Sequence, residues 1–403
     1  MIGCATDPVT RPGFRFAPLQ PRDPVRVGRY TLRALLGTGG MSRVFLAFTP
    51  GGQPLAVKVI QPALENDPKF TARFAEEVRV AQKVDSGHVA RLLDADPDAP
   101  RPWLASAYVP GPSLQELVTD TGPLPTADAL LLALGMAKAL ASIHRAGAVH
   151  RDLKPANVIL DEAGPKVIDF GIAQRLKNTS TAEDGVVRIG TLGYMSPEQA
   201  LGRRVAASSD VFSLGSTICF LATGRGVFEA ERELATVHRI VRDEPELSGL
   251  DRRLRKVVEA CLVKNPARRA TPAQAASLCL EALGPLTPGA YLNISQAADA
   301  IRGRSEALRE LLPAPGRVPG SVEVGRSARR VGFASEPGAR RPSFEATWST
   351  RQMFPLSERA TGWLRARRRL CGALGVIACA TALLARRPRY PLHRKKNAKS
   401  SIA

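Results

Sequence analysis

The stretch His150-Arg151-Asp152-Leu153-Lys154-Pro155-Ala156-Asn157, followed twelve residues after Asn157 by Asp169-Phe170-Gly171, constrains this chain more than any other feature. Asp152, Asn157 and Asp169 are set into a Val-, Ile- and Leu-rich texture of short strands and loops between Val149 and Phe170. Carboxylates and amides are costly to bury in such surroundings unless a ligand or a metal ion takes up their lone pairs. Asn157 and Asp169 offer hard oxygen donors suited to Mg2+, an ion that usually shares its shell with substrate phosphates. Asp152 then remains to orient an attacking hydroxyl and accept its proton.

Upstream, Leu36-Gly37-Thr38-Gly39-Gly40-Met41-Ser42-Arg43-Val44 lies between two apolar runs. Glycines let a backbone come close to phosphate oxygens and donate N–H groups to them. Taken alone, the same loop is equally a plain hairpin turn. Lys58 falls inside the apolar run Leu55–Ile60, where a lysine either emerges on a solvent face or pairs with an anion. Its spacing after the glycine loop suits a phosphate contact. Asp67 to Val84 reads as a helix, with Asp67 as N-cap and Pro68 at the first helical position. Glu77 shares the apolar face made by Phe70, Phe74, Ala81 and Val84, whereas Glu76 is turned about 100° away. An inward carboxylate needs a cation, and Lys58 is the natural candidate. A helix drawn one residue out of register would remove that argument.

The texture divides the chain. Residues 1–27 are rich in Pro and Arg and read as a flexible arm. Residues 28–109 form a β-rich unit with one helix, its strands at Tyr30–Leu36, Val44–Phe48, Leu55–Ile60, Val89–Leu93 and Trp103–Val109. After Pro110-Gly111-Pro112, residues 113–284 are mostly helical. Ala127–His144 is apolar nearly all round, the mark of a buried helix, and Asp210–Thr223, Asp251–Cys261 and Pro272–Leu283 are further helices. The expected fold class is therefore α+β in two lobes. Residues 285–364, rich in Pro, Gly, Ser and Arg, read as a disordered linker, and 365–403 as a basic tail.

These motifs resemble those of the eukaryotic-like serine/threonine protein kinases of bacteria. The resemblance covers about Tyr30 to Leu283 and adds Ser196-Pro197-Glu198, Asp210 and Arg269 to the motifs above. It implies a small β lobe and a large helical lobe with ATP in the cleft, transferring the γ-phosphoryl group to Ser or Thr hydroxyls of proteins. By this resemblance Leu36, Gly37, Thr38, Gly39, Gly40, Met41, Ser42, Arg43 and Val44 cover the phosphates. Ala56, Ser106, Ala107 and Val109 line the adenine side, with Ser106–Val109 as the hinge. Lys58 holds the α- and β-phosphates and is held by Glu77. Asp152 is the base, Lys154 steadies the γ-phosphate, and Thr191 positions Asp152 and the substrate. Asn157 and Asp169 hold Mg2+, with Mn2+ as an alternative. Glu198 and Arg269 form a buried ion pair. Lys154, two residues after Asp152, matches the serine/threonine branch. Ser42 for the third glycine, Ser196 for the usual Ala and Leu192 for a frequent Pro depart from the pattern without removing a catalytic group. Thr179, Ser180 and Thr181 are activation-loop phosphosite candidates whose phosphate would pair with Arg151; a merely polar loop is the alternative. A homodimer would serve autophosphorylation. A pseudokinase scaffold is the competing reading, against which Lys58, Asp152, Asn157 and Asp169 speak.

Net charge narrows the partners. The formal charge is +20, and from Leu286 onward 22 Lys and Arg stand against 7 Asp and Glu. The excess belongs to the tail and not to a folded surface, which argues against a nucleic-acid binder and for contact with anionic lipid or acidic partners. Leu370–Ala385 is an uncharged run between arginines. As a helix it would span about 24 Å, short of a hydrocarbon core unless the arginines snorkel. It reads as a short apolar helix that could anchor the chain to the cell membrane, a core helix being the alternative. Basic residues on both flanks leave its orientation undecided, and too few residues follow it for an external sensor. The six cysteines form no CxxC pair and no leader run follows the N-terminus, so a cytoplasmic kinase domain is expected.

Overall fold

The computed structural model describes residues 14–39, 42–60, 68–169, 192–287 and 289–312. Gly40, Met41, Asp67, Phe170, Gly171, Thr179, Ser180, Thr181, Thr191 and the run Leu370–Ala385 lie outside them.

Alternation builds the first lobe. In β2 (Tyr30–Thr38) the residues Tyr30, Leu32 and Ala34 are buried in turn, the period of a half-buried strand. β1 (Arg26–Val27), β3 (Ser42–Phe48), β4 (Pro54–Ile60), β5 (Leu92–Asp96) and β6 (Trp103–Ala107) complete an antiparallel sheet in the order β1-β2-β3-β4-β6-β5. Leu55, Val57 and Val59 of β4 point into a core shared with Tyr30, Leu32, Phe45 and Trp103. Ala56 and Lys58 therefore face the other side, where α1 (Pro68–Ala81) packs Phe74, Val78 and Ala81. The strand expected at Val89 begins later: Val89 makes only a bridge to Val167, and β5 starts at Leu92.

Gly111 marks the passage between lobes. A Cβ there would sit 1.8 Å from the Leu160 carbonyl oxygen, so only glycine lets this backbone approach β7 (Val158–Asp161). Ser113 opens α2 (Leu114–Thr121) with a capping box to Glu116. α3 (Thr126–Arg145) runs through the second lobe, buried from Ala129 to Ala137 and again at Ala139, Leu140 and Ile143. Among the described residues it alone is long and apolar enough to cross a membrane, but it is the core helix on which the lobe is built. β8 (Gly164–Val167) pairs with β7. α4 (Pro197–Ala200), α5 (Ala207–Thr223), α6 (Glu233–Arg242), α7 (Arg252–Cys261) and α8 (Pro272–Leu283) follow. α2 and α6 are not among the helices expected from the sequence. α6 buries Thr236 and Ile240, one turn apart.

Two expectations need correction. Residues 14–27 are not a loose arm: the Ala17 carbonyl accepts from the Leu35 N–H at 2.8 Å, and Arg26–Val27 joins the sheet. The stretch from 285 is not wholly linker either. α9 (Ser295–Leu311) buries Ala297, Ile301 and Ala307. Small apolar residues at helical spacing among arginines carry a weak hydrophobic signal, and the Pro- and Gly-rich residues around them dominate the composition.

Candidate active site

A buried carboxylate organises the loop that begins at His150. Asp210, in the first turn of α5, has a fully buried side chain. Its Oδ2 accepts the His150 N–H at 2.8 Å and lies 2.6 Å from His144 Nε2, and its Oδ1 accepts the Arg151 N–H at 2.7 Å. These bonds hold Arg151 in the left-handed region, φ 67°, a conformation that costs a non-glycine residue of order 1–3 kcal/mol. His150 is buried with it. Its Nε2 is 3.1 Å from the Ile168 carbonyl and must donate, which leaves Nδ1 to accept the Asp152 N–H at 3.2 Å. Burial pushes the His150 pKa below its ordinary value despite the nearby carboxylates, so the ring stays neutral and this tautomer is kept.

Asp152 sits at the loop's mouth with 18% of its side chain exposed. Lys154 Nζ lies 3.0 Å from its Oδ2, and Asn157 Nδ2 donates to the same oxygen at 3.1 Å and to the Asp152 carbonyl at 2.8 Å. Asn157 thereby turns its amide oxygen away from Asp152. The Asn157 carbonyl accepts the Ile168 N–H at 3.0 Å, fixing the chain just before Asp169. Asp169 is also left-handed, φ 57°. The Asn157 amide and the partly exposed Asp169 carboxylate offer the hard oxygen donors suited to an ion that completes its shell with phosphate oxygens.

The first lobe brings its residues to one row. Gly37, Val44, Lys58 and Leu104 are register partners across β2, β3, β4 and β6, and Ala56 pairs with Ser106 beside them. The Gly39 N–H donates to the Ser42 carbonyl at 2.8 Å and closes the base of the glycine loop. Thr38 is exposed, and Ser106, Ala107 and Val109 are half-buried.

The expected ion pair between Lys58 and Glu77 is replaced by two others. Lys58 Nζ lies 3.1 Å from Asp169 Oδ2, and Arg151 Nη1 lies 3.3 Å from Glu77 Oε1. Arg151 and Asp169 are the two non-glycine residues with positive φ among the described residues. Each takes one member of the expected pair, because the turned backbone delivers its side chain into the cleft. α1 turns Glu77 inward as its spacing predicts: the Glu77 side chain is 16% exposed against 57% for Glu76.

Below the site, Arg269 holds Glu198 through two bonds of 2.8 and 3.2 Å, and Ser209 Oγ donates to Glu198 at 2.7 Å. Burial raises the Glu198 pKa, but these bonds outweigh it and the net shift is downward. Ser196 caps α4, and Gln199 of the same capping box donates Nε2 to the Arg151 carbonyl at 2.8 Å. Sequence reading assigned no part to His144, Gln199 or the bonding of Asp210. The available signal was a carboxylate in the first turn of α5, a helix rich in Val, Phe, Leu and Ile.

A curled sheet with one helix, a helical lobe, and a lysine, a loop aspartate, an asparagine and a second aspartate gathered between them define a protein kinase. The protein kinase domain family matches residues 30–279, and the chain belongs to it, among the serine/threonine kinases of bacteria. The chain is 50% identical over 257 residues to the probable serine/threonine-protein kinase PkwA of Thermomonospora curvata, covering 64% of this chain and 34% of that protein. It is 31% identical over 372 residues to the serine/threonine-protein kinase PknA of Mycobacterium tuberculosis (strain ATCC 25177 / H37Ra), covering 89% and 80%. In structure it is similar to the M. tuberculosis PknI kinase domain, with TM-score 0.52 and 28% identity over 68% of this chain and 98% of that one. It spans about a third of the length of the relatives matched at 46–50% identity. The family works on ATP with a divalent ion and on protein substrates.

Proposed function

We propose that residues 28–284 are an active serine/threonine kinase domain that phosphorylates proteins, itself included. The observation that carries this is the Asp152–Lys154–Asn157 cluster, with bonds of 3.0 and 3.1 Å converging on one Asp152 oxygen. Bound ATP with Mg2+ supplies the transferable γ-phosphoryl group, and Asn157 and Asp169 are the residues that would hold the ion. Asp152 orients the incoming hydroxyl and takes its proton at a carboxylate oxygen. Lys154 places positive charge where the γ-phosphoryl oxygens develop charge. Lys58 serves the α- and β-phosphates from the face of β4 opposite the first-lobe core. Ala56, Ser106, Ala107 and Val109 receive adenine, and the loop from Leu36 to Val44 covers the phosphates.

Arg151 links this site to control. It holds Glu77, and it is also the residue that would receive a phosphate at Thr179, Ser180 or Thr181. Phosphorylation there would compete for the guanidinium and release Glu77. Thr191 fits a role in placing Asp152. Autophosphorylation in a homodimer, a cytoplasmic site of action, and attachment of the basic tail to an anionic membrane through Leu370–Ala385 belong to the same reading. The test is incubation with labelled ATP and Mg2+ of wild type beside Asp152→Ala and Lys58→Ala, with mapping of labelled sites. Label in the wild type alone supports the kinase. Equal label in all three eliminates it, and ATP binding without label in any favours a scaffold.

A further inference from the structure

Two segments outside the family-matched residues 30–279 meet at the hinge. The first begins at Phe14. Its Ala17 carbonyl takes the Leu35 N–H along the margin of β2, beyond the two residues that β1 pairs. Asp23, with a fully buried side chain, pairs with Arg43 of β3, and Gln20 Oε1 accepts from Arg43 at 2.8 Å. The arm is therefore fastened to both strands that carry the glycine loop.

The second segment is α9. Ala297 and Ile301, in its first half, belong to the core of the helical lobe. Leu308 and Leu311, in its last turn, pack with Phe16, Leu36 and Tyr108 against Ala34, Leu46 and Phe48 of the first lobe. Between them Arg304 Nη2 lies 3.0 Å from Glu116 Oε1, and its guanidinium stands 4.5 Å over the Phe14 ring. The other Glu116 oxygen holds the Ser113 N–H at 2.7 Å, so Arg304 is tied to the first residues past the hinge. Phe14, Phe16 and Tyr108 stack edge to face at 5.1 and 5.9 Å.

One helix is thus bolted at its start to one lobe and at its end to the other. A helix of 17 residues is a rod about 25 Å long. Any rotation of the lobes must slide Leu308 and Leu311 over Ala34, Leu46 and Phe48 or break the bond from Arg304 to Glu116. We propose that the Phe14–Leu19 arm and α9 form a clasp across the hinge that positions Leu36 and Ser106–Val109 and so sets nucleotide affinity. Phe16, Arg304 and Leu308 are its positioning residues. This rests on the reading of Ser106–Val109 as the adenine contact.

The experiment uses the full chain as wild type, Leu308→Ala, Arg304→Gln and Arg304→Lys. It measures initial rates against ATP concentration and titrates a fluorescent ATP analogue with Mg2+. Leu308→Ala and Arg304→Gln are expected to raise KM for ATP and the analogue Kd at least about fivefold, the lower end of coupling between packed elements. The kcat should stay within about twofold, the split that separates positioning from chemistry. Arg304→Lys, which keeps the charge for Glu116 and Phe14, should restore affinity to near wild type. Affinity unchanged in both Leu308→Ala and Arg304→Gln overturns the clasp, as does an Arg304→Lys protein as weak as Arg304→Gln. Should Leu308→Ala fail to fold, the Arg304 pair decides. A wild type that takes up no analogue defeats the nucleotide reading itself, and the clasp with it.

Discussion

Asp210→Asn is the sharpest perturbation that the geometry permits. The carboxylate accepts from two peptide N–H groups at 2.7 and 2.8 Å and lies 2.6 Å from His144. An amide keeps one acceptor oxygen and turns an NH2 toward the other partners. Two charge-assisted bonds are lost at about 1.5–3 kcal/mol each, so the cost is about 3–6 kcal/mol. In a domain of this size each kcal/mol moves Tm by about 2–4 °C, so the transition should fall by roughly 6–24 °C. Catalysis should fall further than stability implies. The same bonds hold Arg151 at φ 67°, and release of that backbone moves the adjoining Asp152, where a 1 Å misplacement costs about 10²-fold in rate. Lys58, Asp169 and the hinge are bonded elsewhere, so nucleotide affinity should change little. The assay compares kcat, nucleotide Kd and Tm in one preparation at a temperature where both proteins are folded. A variant with wild-type kcat and a Tm within about 2 °C would refute the claim that Asp210 holds the loop.

Other perturbations test other parts of the structure. Arg269→Met strands Glu198 in the interior and should cost about 3–5 kcal/mol, read by thermal or denaturant unfolding; a loss below about 1 kcal/mol would show the pair to be dispensable. Gly111→Ala places a methyl 1.8 Å from the Leu160 carbonyl oxygen. It should lower Tm and weaken ATP binding together, and an unchanged Tm would mean that the hinge backbone yields freely. The pH dependence follows from His150, whose folded pKa is pushed down by burial, and from His88, lowered for the same reason. Below the unfolded value near 6.5 only the unfolded chain takes up these protons. Stability is therefore complete above that pH and is lost as pH falls, for His150 by at most about 1.4 kcal/mol per pH unit. Asp128 and Asp161, raised by burial, act in the opposite sense closer to the carboxylate range. A Tm that stays flat from pH 7.5 to about 5.5 would place a charge on buried His150, against the bonding described here.

What could be read from residues alone divides along a physical line. The apolar runs Tyr30–Leu36 and Leu55–Ile60 and the helical stretches Asp251–Cys261 and Pro272–Leu283 are local signals, and β2, β4, α7 and α8 stand where those signals put them. The polar residues Asp152, Asn157 and Asp169 were legible because their presence in apolar texture demanded a compensating partner. The identity of each partner was not. A carboxylate facing inward from α1 asks for a cation, and Lys58 was the nearest in motif order. Arg151 answers instead, because its left-handed backbone, fixed by Asp210 from 59 residues away, aims the guanidinium at Glu77. Such a choice is made by tertiary placement, and no spacing within one segment encodes it. The same holds for α9 and the Phe14 arm. Each offers a few apolar residues amid arginines and prolines, too few to stand out, and both pack on one small core of Ala34, Leu46 and Phe48. Composition is an average over a stretch, so it is least informative where a handful of residues inside that stretch do the packing.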